Sequence, residues 1–410
     1  MHIYLVGGAV RDQLLQYPVK EKDWVVVGAT PQAMIDQGYT QVGKDFPVFL
    51  HPQTHEEYAL ARTERKTAPG YKGFDIHASP EVTLEEDLLR RDLTINAMAQ
   101  DNHDHIIDPY NGQADLKNKL LRHVSTAFSE DPVRILRVAR FAARYAHLGF
   151  HVADETMLLM SQMVNNGEVD ALIPERVWQE MHTALSEKNP DVFFQTLKAC
   201  GALKCIFPEL DILFGIPQPE MYHPEIDTGI HTMMVLQQAC KLSDDPKVRF
   251  AALCHDLGKG KTPKDKWPRH HAHEQLGIPV IKSLCQRLRV PNDFRDLAVI
   301  TSDMHLHIHR AFELKTETLL NTLEKLDAFR KPARFEEFLL ACIADIRGRT
   351  TYENCDIPQV DYFRQAQQVI SNLDLSEITR QNLSGPDMAD TIRQARLTAL
   401  DAFKQKTKPD

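Results

Sequence analysis

The sequence predicts an α+β protein in which a small mixed β-sheet head is followed by an all-helical body and a second all-helical domain. Short apolar segments typical of strands occupy the first hundred or so residues, and continuous helical periodicity follows from about Asp131. Histidines then concentrate in helical sequence between His223 and His309. These observations place the domains at residues 1–138 (head), 139–225 (helical neck and body), 226–350 (histidine-bearing domain) and 351–410 (helical tail).

The head is predicted to contain five strands, HIYLV, DWVVVG, PVFLH, EYALAR and HIID. Several of their connections are too short for a crossover helix, so we expect antiparallel or mixed pairing. Thr30 and Pro31 are residue types favoured at the N-cap and at the first helical position, and they predict the start of a helix. After Asp131 no strong strand signal is present, and we expect only helices.

The composition restricts the class of protein. Apolar residues make up 43% of the 410 residues, but no apolar run approaches the roughly 20 residues that span a bilayer, and no signal peptide is apparent. The seven cysteines are scattered without C-x-x-C spacing, which favours reduced thiols and a cytoplasmic protein. The net charge of -9 argues against nonspecific coating of nucleic acid by the whole surface, but it permits a local basic track.

The first chemical pattern lies at the ends of two early strands. Gly7 and Gly8 separate the first strand from a helix that carries Arg11, and such a turn lets backbone N–H groups approach a phosphate. Glu21 and Asp23, at i and i+2, project from one face of the next strand and can share a Mg²⁺ ion. Each pattern alone is compatible with a tight turn or a solvated strand end. Together they predict a bound triphosphate and the metal that bridges it.

The segments GGAVRD and EKDWVVVG resemble the signature of the polymerase-beta-like nucleotidyltransferases, and within them the class II tRNA nucleotidyltransferase and poly(A) polymerase family. The usual D-x-D of that family is E-x-D here, which keeps both carboxylates. The segment EEDLLRRDLTINAMA resembles a second family motif, which implies that Arg91 and Asp92 contact the incoming nucleotide with support from Asn96. Class II enzymes have a third acid near the two metal-binding carboxylates, here Glu21 and Asp23, and Glu57 is our candidate.

One face of a predicted helix carries a row of arginines. The segment EDPVRILRVARFAARYA places them within an arc of roughly 120°, at Arg134, Arg137, Arg140 and Arg144. Arginine suits multidentate recognition of phosphates and base edges. The family motif E-D-x-x-R corresponds to Glu130, Asp131 and Arg134, and the resemblance implies that Asp131 and Arg134 pair with the nucleotide base. A carboxylate accepts the exocyclic amine of cytosine or adenine, so CTP and ATP should be used and UTP and GTP rejected.

Neighbouring residues receive supporting roles. We expect Arg137 and Arg140 to contact the ribose and the triphosphate. Gly8, Arg11 and Arg91 are expected to bind the same nucleotide. Asp131 also occupies an N-cap position before Pro132, and a cap can use one carboxylate oxygen and leave the other free. The segment IPERVWQEM resembles the last family motif, in which Glu175 and Arg176 would brace the arginine helix.

The histidines of the second half predict a metal site. His231, the adjacent His255 and Asp256, and Asp345 form a pattern that resembles the HD phosphohydrolase superfamily, an all-helical metal-dependent fold. The resemblance implies phosphoester hydrolysis by metal-activated water. His273 and His305 are secondary candidates, which would widen a one-metal site to two. Mixed imidazole and carboxylate ligands favour a transition metal, Ni²⁺ or Mn²⁺.

The combined resemblance to class II CCA-adding nucleotidyltransferases with an HD domain implies Mg²⁺-dependent addition and repair of the 3′-terminal C-C-A of tRNA from CTP and ATP, with release of pyrophosphate. It implies recognition of the tRNA 3′ end and acceptor region by shape and backbone. The HD domain would act as a phosphatase or phosphodiesterase, including on 2′,3′-cyclic phosphates and 2′-nucleotides. Two alternatives stay open: a poly(A) polymerase, and an HD phosphohydrolase with a catalytically silent, nucleotide-sensing head. We expect a cytoplasmic monomer or homodimer without membrane contact.

Overall fold

The computed structural model describes residues 1–19, 21–42, 48–66, 74–380 and 384–407. Contacts within the chain divide it into two units, Met1–Ile206 and Phe207–Asp410. All strands of the described residues lie in the first unit, and helices follow in both, which confirms the predicted fold class. The finer division into four domains stays a prediction.

The first unit contains eleven strands and nine α-helices within its described residues. The strands are β1 (His2–Val6), β2 (Asp23–Val27), β3 (Thr40–Val42), β4 (Val48–Leu50), β5 (Glu57–Leu60), β6 (Arg62–Lys66), β7 (Phe74–Ala78), β8 (Ala99–Gln100), β9 (Ile106–Ile107), β10 (Leu120–Leu121) and β11 (His151–Val152). The helices are α1 (Gly8–Leu14), α2 (Pro31–Asp36), α3 (Leu84–Leu89), α4 (Gly112–Asn118), α5 (Val133–Tyr145), α6 (Asp154–Asn165), α7 (Pro174–Leu185), α8 (Pro190–Ala199) and α9 (Ala202–Ile206).

The main sheet has seven strands in the order β3-β4-β5-β2-β1-β8-β9. β2 lies between antiparallel β1 and parallel β5, so the mixed pairing expected from the sequence is confirmed. The register pairs Asp23 with Val6 on one side and with Glu57 on the other. This pairing places Asp23 directly beside the end of β1, the strand that leads into the glycine turn.

Local sequence signals account for several boundaries. The side chain of Thr30 accepts a hydrogen bond from the backbone of Ala33 at 3.2 Å, and Pro31 opens α2, as predicted. Helix α5 begins at Val133, one residue later than its sequence suggests, and the Asp131 carboxylate accepts the Val133 N–H at 3.0 Å. We expected no strand after Asp131, but the described residues include one there, the two-residue β11. Pro47, in the predicted PVFLH strand, lies outside them.

The second unit is built from helices alone within the described residues. They are α10 (Pro208–Asp211), α11 (Thr228–Leu242), α12 (Pro246–Cys254), α13 (His273–Leu288), α14 (Asn292–His309), α15 (Thr316–Lys325), α16 (Pro332–Arg347), α17 (Pro358–Ser371), α18 (Ser376–Thr379) and α19 (Gly385–Thr407). α11, α12, α14 and α16 pack against one another, and α13 packs on α14. A Cβ at Gly258 would lie 1.9 Å from the carbonyl oxygen of His273, so a glycine is required where the segment after α12 meets α13.

Candidate active sites

A cavity of about 570 Å³ in the first unit collects both predicted halves of a nucleotide site. Its lining includes all ten residues that the sequence assigned to metal and nucleotide binding in the head: Gly8, Arg11, Glu21, Asp23, Arg91, Asp92, Asp131, Arg134, Arg137 and Arg140. They come from the glycine turn and α1, from the start of β2 and the residues just before it, from the segment after α3, and from α5 and the residues just before it. The fold therefore brings the metal-binding and base-reading candidates into one space, although they are far apart in the sequence.

The glycine turn is held by close contacts. Gly7 has a φ of 68°, and a Cβ there would lie 2.7 Å from Nη1 of Arg91, so a larger residue would be strained and would displace that arginine. Arg11 is 3% exposed, and its guanidinium donates to the side chains of Asn96 at 2.5 Å and Asp12 at 2.8 Å. The same guanidinium lies over the ring of Phe141. Arg11 therefore presents a fixed positive charge at the turn.

The two candidate metal ligands lie at the start of β2. Asp23 is its first residue, and Glu21 precedes the strand. Enclosure in the cavity raises the pKa of Asp23, Arg91 opposes this rise, and Glu21 adds to it. A bound cation would relieve the repulsion between the carboxylates, and two carboxylates plus substrate phosphates suit Mg²⁺. Glu57 is exposed and in register with Asp23 on β5, so alternation places both on one face of the sheet, but Glu57 does not line the cavity.

Asp87 supports the arginine pair, and sequence reasoning missed it. Its fully buried carboxylate accepts from Arg90 at 2.8 Å, from Arg91 at 3.3 Å and from the backbone N–H of Arg62 at 3.3 Å. Burial raises the pKa of Asp87, but the charges of Arg90 and Arg91 outweigh burial and hold it below its usual value. Asp87 therefore remains an anion that orients two cations toward the cavity.

A second buried carboxylate links this segment to α5. Asp92 lies 2.7 Å from Nε of Arg137 and accepts from the Asn96 side chain at 2.9 Å. Burial raises the pKa of Asp92, but Arg137 and the Asn96 hydrogen bond outweigh burial and hold it well below the usual range. On the next turn, Nε of Arg140 lies 2.5 Å from Glu180 of α7. Both predicted phosphate-binding arginines thus hold fixed orientations through Nε.

The two predicted base-reading residues line the cavity and are held by the protein. Asp131 uses one carboxylate oxygen to accept the Val133 N–H, and the other lies 3.4 Å from Nη1 of Arg176. The second oxygen is therefore paired, where the sequence suggested that it would be free. Arg134 donates to the backbone carbonyls of Ala127 at 2.8 Å and Arg90 at 2.6 Å. These contacts fix the pair in place before a nucleotide binds.

In the second unit, the four primary metal candidates meet in the interior. Nε2 of His231, from α11, lies 3.2 Å from Asp345 of α16, and Nε2 of His255 lies 3.6 Å from the same oxygen. Nε2 of His255 also lies 3.1 Å from the carboxylate of Asp256. All four residues are buried. Helices α11 and α16 and the turn after α12 therefore deliver one compact donor set.

The two secondary candidates join the same centre through Asp256. Its Oδ1 lies 3.2 Å from Nε2 of His273 and 3.9 Å from Nε2 of His305, and the two imidazole nitrogens are 3.4 Å apart. Asp256, His273 and His305 form one group with metal-binding geometry, and His231, His255 and Asp345 form another. Because His255 and Asp256 are adjacent, the arrangement has room for one or two ions.

The hydrogen bonds around the histidines fit metal binding. Nδ1 of His255, His273 and His305 lies 2.7 to 2.9 Å from the backbone carbonyls of Ala252, His270 and Ser302, respectively. A carbonyl can only accept, so Nδ1 carries the proton and Nε2 presents a lone pair toward the carboxylates. Nε2 of His255 and Oδ1 of Asp256 are buried and form no hydrogen bond within the described chain. A cation would satisfy these atoms.

Three residues near this centre were missed by sequence reasoning. Glu225 lies 2.9 Å from Nδ1 of His231, and His309 lies 2.7 Å from the second oxygen of Asp345. Lys259 lies 2.6 Å from Asp256. His309 and Lys259, with Arg269, Arg310 and Arg349, line a cavity of about 700 Å³ over the centre, which is therefore open to an anionic substrate.

Comparison with known proteins decides the family. The multifunctional CCA protein of Thioalkalivibrio sulfidiphilus is 62% identical over 98% of this chain and 99% of its own length. That of Teredinibacter turnerae is 59% identical over 100% of both chains. The chain belongs to the multifunctional CCA protein family.

In this member of the multifunctional CCA protein family, separate domain profiles match the region of the nucleotide site and the region of the histidine centre. Residues 3–122 match the poly(A) polymerase head domain, residues 149–213 match a probable RNA and SrmB binding site of polymerase A, and residues 228–345 match the HD domain. The fold resembles that of an apo CCA-adding enzyme, with a TM-score of 0.65 and 20% identity over 98% of this chain and 88% of the other. The Bacillus stearothermophilus CCA-adding enzyme in complex with CTP superimposes with a TM-score of 0.63. Its sequence identity is 21%, over 98% of this chain and 89% of the other. Within the described residues, no helix combines the length and apolarity needed to cross a membrane.

Proposed function

We propose that the chain adds and repairs the 3′-terminal C-C-A of tRNA, using CTP and ATP and releasing pyrophosphate. The observation that supports this most strongly is the single cavity in which Glu21 and Asp23 lie together with the arginine face of α5. Membership of the multifunctional CCA protein family supports the same reaction, as does the match of residues 149–213 to an RNA-binding profile.

In this proposal, Glu21 and Asp23 hold Mg²⁺, and Glu57 is the candidate for a third carboxylate. The ion supplies charge neutralisation at the triphosphate and activation of the tRNA 3′-hydroxyl. Gly8, Arg11, Arg91, Asp92, Arg137 and Arg140 bind the incoming nucleotide. Since Arg11, Arg91 and Arg137 are already oriented by Asn96, Asp87 and Asp92, they place the phosphates without a further loss of side-chain freedom.

Base selection falls to Asp131 and Arg134. The carboxylate accepts the exocyclic amine of cytosine or adenine, and the guanidinium donates to the adjacent ring nitrogen. Uracil and guanine would place a carbonyl against the carboxylate, so two acceptors would face each other. Because backbone carbonyls hold Arg134 and Arg176 pairs with Asp131, the two side chains form a rigid template.

We propose that the HD domain hydrolyses phosphoesters, including 2′,3′-cyclic phosphates and 2′-nucleotides. His231, His255, Asp256 and Asp345 would hold Ni²⁺ or Mn²⁺, with His273 and His305 extending the site to a second ion. The metal supplies an activated water, and Lys259 and Arg349 in the cavity lining would offset the charge of the phosphoester. The free cysteines of the described chain agree with a cytoplasmic enzyme, which we propose to be a monomer or homodimer.

A tRNA transcript that lacks its 3′ C-C-A tests the proposal directly. We expect Mg²⁺-dependent addition of two C residues and one A, and no use of UTP or GTP. Incorporation of ATP alone into long tails would favour a poly(A) polymerase. Hydrolysis of phosphoesters without any nucleotide addition would favour the alternative of a silent head.

A further inference from the structure

The second unit contains a basic groove at the far end of the α13–α14 pair from the histidine centre. Its volume is about 860 Å³, and its charged lining residues are Lys282, Arg289, Arg295, Asp296, Lys325 and Arg334. Five of these six residues are cationic, although the whole chain carries a net charge of -9. Such a local reversal of charge indicates a ligand with the opposite sign.

Two of the groove cations pair with neighbouring acids. Arg295 pairs with Asp296 at 2.7 Å, and Lys325 pairs with Asp303. Lys282 and Arg289 are exposed at the surface of the groove. Nε of Arg334 is buried and forms no hydrogen bond within the described residues, while its Nη2 donates to a backbone carbonyl. The groove therefore combines a lining rich in cations with a buried donor that lacks an acceptor within the described residues.

The remaining lining favours a ligand that brings its own charge. Cys285 and Val290 are buried, Val299 and Ile300 are half-buried, and Gln286 and Asn292 are neutral amides, so the uncharged part of the lining supplies no anion to the cations. Helix α13 runs from His273 for 16 residues. At about 1.5 Å per residue, the groove cations Lys282 and Arg289 lie roughly 14 Å and 24 Å along this helix from His273. A single phosphate cannot reach both places, but a polyanion can.

We propose that the basic groove binds the phosphate backbone of the tRNA, an inference that rests on the proposed function. A nucleic acid backbone offers regularly spaced charges with acceptor oxygens, which match several separate cations better than one small anion does. The groove adds affinity for tRNA at a place separate from the histidine centre of the same unit. It is therefore required for binding the long substrate and not for turnover of a small phosphoester.

The test compares the full-length protein with a Lys282→Glu/Arg289→Glu variant. Both positions are exposed, so the fold should tolerate the change. Binding of a fluorescently labelled tRNA transcript without C-C-A is measured over a series of salt concentrations. Loss of two phosphate contacts should reduce the slope of log Kd against log salt by about 1.5, and the charge reversal should weaken binding by about tenfold or more. Hydrolysis of bis(p-nitrophenyl) phosphate should stay unchanged.

Two controls make the test specific. The Lys282→Gln/Arg289→Gln variant should give an intermediate loss, and Lys315→Glu, an exposed site outside the lining of the groove, should give none. An unchanged salt slope in the charge-reversal variant, or an equal loss from Lys315→Glu, would overturn the inference. Competition by polyglutamate but not by single-stranded RNA would assign the groove to an acidic protein and also overturn it. Failure of the wild-type chain itself to bind tRNA would instead contradict the proposed function.

Discussion

The carboxylate of Asp12, in α1, accepts a hydrogen bond from the hydroxyl of Tyr145, near the end of α5, at 2.9 Å. The same carboxylate accepts from Arg11 at 2.8 Å and from Arg144 at 3.2 Å. Asp12 and Tyr145 are buried. One side chain thus joins the glycine turn, which is proposed to bind phosphate, to the arginine helix that is proposed to read the base.

Removal of the Tyr145 hydroxyl tests this link. Tyr145→Phe keeps the ring but takes one donor from a buried carboxylate, so the free energy of unfolding should fall by about 1–2 kcal/mol. Asp12→Ala should cost more, about 3 kcal/mol, because it leaves the buried Arg11 and the half-buried Arg144 without their shared counterion. Urea denaturation followed by circular dichroism measures both. Tyr17→Phe is the control, since the Tyr17 hydroxyl has no hydrogen bond within the described residues and should show almost no change.

The Asp92–Arg137 pair predicts acid sensitivity. The folded chain holds the pKa of Asp92 well below the value of about 3.9 in an unfolded chain. Stability from this pair is therefore complete above about pH 4 and is lost as the pH falls toward the folded pKa, because only the unfolded chain takes up the proton. Asp92→Asn should flatten the dependence of unfolding free energy on pH in this window. Denaturation at several acidic pH values measures the slope, and an unchanged slope would contradict the assignment.

Local chemistry made much of the head predictable. The glycine turn, Glu21 and Asp23 lie within a short stretch of sequence, and helical periodicity alone placed the arginines of α5 on one face. The HD dyad was equally visible because His255 and Asp256 are adjacent and follow an apolar helix. In each case the known side-chain period of a strand or a helix was enough to predict which residues share a face.

The carboxylates that orient these groups were not predictable in the same way. Asp87, Glu180 and Glu225 look like ordinary surface acids in the sequence, and each acquires its role from the buried cation or imidazole that tertiary packing brings to it. Strands β10 and β11 have two residues each, too few to show a period. His309 could have been found, since it follows His305 by one helical turn on α14.

Separate activities are expected from the two centres. Asp23→Ala should abolish nucleotide addition to tRNA and leave hydrolysis of bis(p-nitrophenyl) phosphate within about twofold, whereas His255→Ala should do the reverse. The reason is that the two residues belong to different units with different donor sets. Both activities are measured on each variant. Loss of both from either substitution in folded protein would contradict independent sites.

Asp131→Asn should relax the choice of base. A carboxamide can present an N–H to a carbonyl, so uracil would no longer face two acceptors, while cytosine would lose part of its contact. The ratio of kcat/KM for CTP over UTP should fall by about 10- to 100-fold, the range expected for a lost base-edge contact. Single-nucleotide addition to tRNA gives this ratio. Glu130→Gln, at the preceding residue, serves as the control and should keep the preference for CTP.

Glu225 is expected to tune the affinity of the HD centre for metal. Its carboxylate lies 2.9 Å from Nδ1 of His231, so it can hold that nitrogen as the donor and aim Nε2 at Asp345. Glu225→Gln should weaken Ni²⁺ binding by about tenfold, because a neutral amide makes the imidazole a poorer ligand. Calorimetric titration of metal-free protein measures the affinity, with Asp23→Ala as the background so that the head centre does not contribute. Glu313→Gln changes an acid that lines the same cavity and pairs with Arg310, and it should bind Ni²⁺ as the background does. An equal loss in the two variants would show that cavity charge, and not the orientation of His231, sets the affinity.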